Sequence, residues 1–318
     1  MSLTPETWLS RHTLLSQFDA PRRVTKAATD GTKMGVVLWA RDNAATIGRH
    51  LLLLQHGWPG GKAPWSEVVV ADLGSSDSTA QIAREHGATV LEIGSDAPRT
   101  QATADGDGMA RILEWTNSDI LLVAPANLVR LEFVGLASLM AAMLDHPACR
   151  LATGAESPTG GLLSRLSIRP LLAAVCPALA VLSDPTSPLF ALRPDRVREL
   201  PLARTDGFEA ALLVDCWSKH GLESIVQVLV GELEWDQNDP RQNPTHAFHC
   251  QLAVLEALRR AGRIQPKGEF GHILPTPEAW DENGSRVVSR LEVFPWKSTS
   301  SAGSATSLNL SKWFEEKL

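Results

Sequence analysis

The segment from residue 33 to residue 124 constrains this chain most, because short β-branched runs alternate there with amphipathic stretches. That rhythm is the mark of βαβ units feeding one mostly parallel sheet. Four strands are expected: MGVVL, EVVVAD, ATVLEI and DILLVA. The helix after the first opens near Asp42 or Asn43 as cap and stops by Gly57, and the helix after GSSDST has Ser76 and Asp77 in its first turn. A third helix is expected from about Met109 to Thr116. Ligands of such open sheets collect outside the carboxyl ends of the strands, so those ends are where chemistry is sought.

Beyond this half, helices are expected over 131–144, 207–220 and 245–261, with a strand at CRLAT. The run GGLLSRLSIRPLLAAV reads as a long buried helix interrupted at Pro170. The sequence divides into an N-terminal arm (1–32), a half with a nucleotide-binding layout (33–130), a second half (131–263) and a tail (264–318). In the tail, KSTSSAGSATS reads as a tether and NLSKWFEEKL as a docking helix.

At 318 residues the chain can bury a large core, and its 44% hydrophobic and 21% charged content is ordinary for a globular protein. No apolar run reaches the roughly 20 residues of a membrane span, and the N-terminus lacks a signal-peptide pattern, so the expected location is the cytoplasm with no membrane partner. A net charge of −6 gives no basic footprint for nucleic acid. Cys149, Cys176, Cys216 and Cys250 form no C-x-x-C pair and are expected as reduced, buried thiols. His246 and His249 lie three apart on an expected helix, but no third metal ligand accompanies them. GWPGGKAPW and DGDG lack the ordering of a phosphate loop, and no histidine groups visibly with a nucleophile.

Taken in order, VVLWARDNAATIG, EVVVADLGSSDST, GGLLSRLSIRPLLAAVCPALA, GFEAALLVDC and GLESIVQVLVG resemble the glucosyl-3-phosphoglycerate synthases, retaining transferases that move glucose from UDP-glucose to 3-phosphoglycerate with a divalent metal. The resemblance runs from about Trp8 to Trp296 and implies an α/β GT-A glycosyltransferase fold, a Rossmann-like sheet with an appended acceptor half, and a dimer. It places donor binding at Ala40, Asn43, Asp72, Ala126 and Asn127. The family's uridine-gripping segment reads here Trp39, Ala40, Arg41, Asp42 and Asn43. The acceptor-binding run becomes Gly160, Gly161, Leu162, Leu163 and Ser164, with Arg169 following, and Glu209 takes the catalytic position.

The same resemblance shows what has changed. The Asp-x-Asp motif that holds Mg²⁺ reads Pro125, Ala126, Asn127, and the metal-binding histidine aligns with Trp235, so no metal cofactor is expected. Pyrophosphate-binding basic residues fall at Asp105 and Leu233, and a polar pair facing the sugar falls at Leu189 and Phe190. Arg41, Arg99 and Arg130 are the candidate substitute cations. Trp39 and Trp235 together would fill the donor pocket. Two functions follow: a diverged, weakly active or inactive protein that binds a nucleotide sugar and pairs with itself or an active relative, or a metal-independent glycosyltransferase with an altered acceptor.

Overall fold

A computed structural model describes residues 5–59, 62–93, 106–129, 132–203, 207–235, 244–264, 279–280 and 286–287. In chain order the elements are α1 (Pro5–His12), β1 (Thr13–Leu15), α2 (Ala20–Thr29), β2 (Met34–Ala40), α3 (Ala44–His56), β3 (Trp65–Asp72), α4 (Thr79–Glu85), β4 (Thr89–Glu92), α5 (Gly106–Trp115), β5 (Ile120–Pro125) and α6 (Phe133–Asp145). There follow β6 (Leu151–Ala155), a π-helical turn (Ser164–Ile168), α7 (Arg169–Val175), β7 (Phe190–Leu192), α8 (Pro194–Val197), α9 (Phe208–His220), β8 (Ile225–Leu229), α10 (Pro244–Arg260) and a small antiparallel pair, β9 (Ala279–Trp280) with β10 (Arg286–Val287).

β1 to β8 form one mixed sheet in the order β1-β8-β6-β7-β5-β2-β3-β4. Only β7 runs antiparallel, wedged between β5 and β6. The four strands read from residues 33–124 are β2, β3, β4 and β5, and all three of their mutual pairings are parallel. β2 is buried along its whole length, as a parallel strand covered on both faces must be. Its side chains alternate: Val37 and Trp39 join one core cluster, while Val36, Leu38 and Ala40 join the cluster on the opposite face. The structure is thus an α/β fold built on one mostly parallel sheet, as the resemblance implies.

The N-terminal residues supply an edge strand that composition does not announce. β1 pairs in parallel with β8, and the fully buried Trp8 donates its indole N–H to the carbonyls of Leu222 (2.9 Å) and Ile225 (3.1 Å).

The run around Pro170 differs from the expected long buried helix. Pro170 has no N–H to give to the preceding turn, so the ladder widens to a π-helical turn before α7 begins. It is not buried throughout: Leu162 is 56% and Leu166 71% exposed. The expected tether and docking helix near the C-terminus lie outside the described residues, as do Arg99, Asp105 and Arg130. All four cysteines are free and buried, and burial pushes the Cys149 thiol up to about 12. Among the described residues, no helix is long and apolar enough to cross a membrane.

Candidate functional site

The expected donor residues come together at the carboxyl ends of three neighbouring strands. Ala40 ends β2, its register partner Asp72 ends β3, and Pro125 ends β5 opposite Trp39. Ala126 donates its N–H to the Trp39 carbonyl (2.7 Å), and its own carbonyl accepts from the Thr46 hydroxyl (2.7 Å). The turn after β5 is therefore fastened to β2 and α3. Asn127 is half-buried, whereas Pro125 and Ala126 are buried.

The loop after β2 is held by the loop after β3. Asp42 sits at φ +53°, a left-handed conformation that aspartate tolerates better than most residues. Its carboxylate accepts from the Ser76 N–H (2.7 Å) and hydroxyl (3.0 Å), and its N–H donates to the Ser75 hydroxyl (3.0 Å). The Asn43 side-chain oxygen accepts from the Arg41 N–H (2.8 Å), and the Asn43 N–H donates to the Thr79 hydroxyl (2.7 Å). Asp72 is 5% exposed and accepts from both the N–H and the hydroxyl of Ser75. Asp77 accepts from Ala44 N–H (3.0 Å) and Thr79 N–H (2.9 Å). Burial works against its charge, but bonds from the Thr79 side chain and from the Ala44 N–H hold its carboxyl below the ordinary value. Ser75 and Thr79 were not legible as site-forming residues, because what ties them to the loop after β2 is a bond to Asp42 or Asn43, more than thirty residues away.

Trp39 and Trp235 do not converge into one plug. Trp39 is buried in the cluster that includes Met109, Phe190 and Phe208, whereas Trp235 packs against the cluster on the other face and bridges Leu128. The reason is strand alternation, which sends Trp39 to the face opposite Leu38 and Ala40.

In the expected acceptor half, Gly161 and Ser164 meet a residue the sequence did not single out. Asp184, 1% exposed, accepts from the Gly161 N–H (3.2 Å), the Ser164 hydroxyl and the Thr186 hydroxyl (3.1 Å). Arg169 lies a turn beyond and donates Nη1 to the Thr159 carbonyl (3.0 Å). Glu209 stands in the first turn of α9, where the helix dipole favours its negative charge, beside a water-sized cavity of about 10 Å³ with Thr153, Ser187 and Phe190. The Ser187 N–H donates to the Asp184 carbonyl (3.2 Å), so the segment 184–187 connects the two groups. His246, on α10, is buried with its Nε2 3.5 Å from the Cys250 Sγ. No group of three or more potential metal ligands occurs among the described residues.

An α/β, mostly parallel mixed sheet with polar clusters at its strand ends is the architecture of the GT-A glycosyltransferases, and the solved structures that resemble it are of that type. No family model matches the chain. Glucosyl-3-phosphoglycerate synthase of Petrotoga mobilis is 27% identical over 263 residues, covering 75% of this chain and 77% of that protein. The Mycobacterium tuberculosis synthase is 28% identical over 221 residues, covering 65% and 67%. A crystal structure of the M. tuberculosis enzyme with Mn²⁺ and UDP-glucose superimposes with a TM-score of 0.70 at 25% identity, covering 87% and 94% of the two chains. The chain is a homologue of the glucosyl-3-phosphoglycerate synthases.

That structure corrects the expectation of no metal cofactor, since the relative's site holds Mn²⁺ together with the nucleotide sugar. Such cations are gripped by the donor's phosphate oxygens as much as by protein, so one strand end read alone does not decide the matter. The side chains at the corresponding positions are nevertheless a poor ligand set by themselves. Pro125 offers no side-chain oxygen, Trp235 has only an N–H donor, and Asn127 brings one neutral carbonyl.

Proposed function

We propose that this chain binds a nucleoside-diphosphate sugar, UDP-glucose being the first candidate, across the ends of β5, β2 and β3, and transfers the sugar slowly or not at all. Its role is then binding or regulation, exercised in the cytoplasm as a pair with a second copy or with an active relative. In this reading Asp72 meets the uracil edge, Asn43 the ribose, and Ala40, Ala126 and Asn127 line the donor. Gly161, Ser164 and Arg169 belong to the acceptor side, and Glu209 orients the reacting centre. Donor binding is supported by the UDP-glucose in the M. tuberculosis relative and by the shared fold.

The observation that carries slow transfer is the end of β5, where Pro125–Ala126–Asn127 carries no carboxylate and is fastened through the buried Ala126. Leu189 and Phe190, each 2% exposed, add an apolar wall where the sugar's hydroxyls would want partners. Charge stabilisation of the departing diphosphate is the large term in such chemistry, and one lost contact of that kind costs on the order of 3 kcal/mol.

The test pairs a thermal melt with a transfer assay, both with and without Mn²⁺. UDP-glucose at 100 times its dissociation constant should stabilise the fold by about 2.7 kcal/mol. Glucose transfer to 3-phosphoglycerate should fall at least about a hundredfold below that of an active relative assayed alongside. Turnover equal to the relative's would overturn slow transfer, and the lack of any melt shift with UDP-glucose in either condition would overturn donor binding.

A further inference from the structure

From the π-helical turn to just past α7 the chain carries two apolar faces. Leu163, Ile168, Leu172 and Cys176 belong to the core cluster on the inner side. Leu162, Leu166, Pro170, Ala173, Ala174 and Pro177 are exposed, the two leucines at 56% and 71%. Their spacing of about three to four residues makes them one continuous outer stripe. A helix that is apolar all round belongs in an interior, so a stripe of this length open to water marks a surface that another segment covers. An open cleft of about 380 Å³ shares Pro170 and Ala173 with the stripe and has room for a large aromatic ring. The exposed charge within the stripe is Arg165, whose side chain makes no ion pair or hydrogen bond among the described residues.

We propose that the cover is the chain's own segment 308–318, LNLSKWFEEKL, docked along the stripe as an amphipathic helix. Leu310, Trp313 and Phe314 are spaced i, i+3, i+4 and so share one helical face, which meets the stripe with an aromatic ring seated in the cleft. Glu315 and Glu316 border that face and supply the acidic partner for Arg165. The course of α10 favours this occupant over a separate protein. Gln251 Nε2 on that helix donates to the Ser167 hydroxyl (2.8 Å), and just beyond the helix the Arg263 charge bears on the Cys176 thiol at the end of α7. Residues 265–318 therefore continue from a point beside the stripe, and a segment tethered so close meets it at an effective concentration on the order of millimolar. The contact requires neither donor binding nor sugar transfer, so it stands or falls apart from the proposed function.

The experiment places a benzophenone amino acid at position 166 of the whole chain and maps the products of irradiation by mass spectrometry. A product of monomer mass that joins position 166 to residues 308–318 is expected, in the same yield at every protein concentration. The same group at position 52, an exposed leucine on α3, should give no such product. Trp313→Ser together with Phe314→Ser should lower the yield about fivefold or more. Arg165→Glu should lower it about two- to fivefold, and adding Glu315→Arg with Glu316→Arg should bring it back. Arg165→Glu removes no side-chain hydrogen bond among the described residues, so loss of the fold does not enter. Products of twice the monomer mass would assign the stripe to pairing between copies and overturn the proposal. Joining to another part of the chain, no joining at all, an equal product from position 52, or a yield that ignores either set of changes would overturn it as well.

Discussion

Gly160 shows how a single residue sets the geometry of the turn that leads into the π-helical segment. It sits at φ +73°, and a Cβ placed there would lie 1.9 Å from the Ser183 carbonyl oxygen. Gly160→Ala therefore combines left-handed strain with a backbone clash next to Asp184, and should cost about 2 kcal/mol or more. Urea denaturation checks this, and a loss below about 0.5 kcal/mol would show that the turn relaxes freely. At this scale the sequence was half legible. Asp72 and Glu209 were singled out by the family resemblance, and they stand at the end of β3 and in the first turn of α9. Asp184 and Thr186 were not legible, because the segment DPTSPLF carries no periodicity and their meaning depends on Ser164, some twenty residues earlier in the chain.

Helix α3 carries a buried base directly beneath the turn that follows β5. His50 is fully buried and faces the carbonyls of Leu128 and Val129, although neither ring nitrogen reaches hydrogen-bonding geometry. Burial, reinforced by Arg49 and opposed by those carbonyls, brings its pKa down to about 4. A base depressed in the folded state takes its proton first when unfolded. Stability is therefore whole above about pH 6.5 and drains away as the pH falls towards 4, by roughly 3 kcal/mol from this group. His12 is also shifted down, chiefly by burial and then by His146, so it adds to the same slope. Denaturation of wild type and His50→Leu between pH 7 and pH 4.5 should show a shallower fall in the variant; parallel curves would remove His50 from the account. Elements of this kind were the most readable layer. Strands β2 to β5 and helices α3, α9 and α10 were visible from apolar spacing and caps. The π-helical turn was not, because a proline announces a break but not how the preceding ladder adjusts.

Across the molecule, the order of the sheet was the least legible feature. Nothing local in FAL says that β7 runs against its neighbours, or that three residues near the N-terminus become the partner of β8. Pairings of this reach are decided by what the rest of the chain leaves uncovered. Trp8 is the best handle on that assembly, being wholly buried and donating to two carbonyls at the start of β8. Trp8→Ala should cost about 3–5 kcal/mol, measured by chemical denaturation, from lost burial and the loss of two indole hydrogen bonds. A cost under 1 kcal/mol would mean that the N-terminal helix is only loosely attached.

The same indole also imposes a timetable. Its two acceptors lie 214 and 217 positions further along. At roughly 5–20 residues per second on the ribosome, it waits about ten to forty seconds for them to be made. Through that interval one of the greasiest groups in the protein is out in water while most of the sheet is being laid down. The stretch around Trp8 thus docks long after it is made, and the nascent chain's need for a chaperone should centre on that stretch.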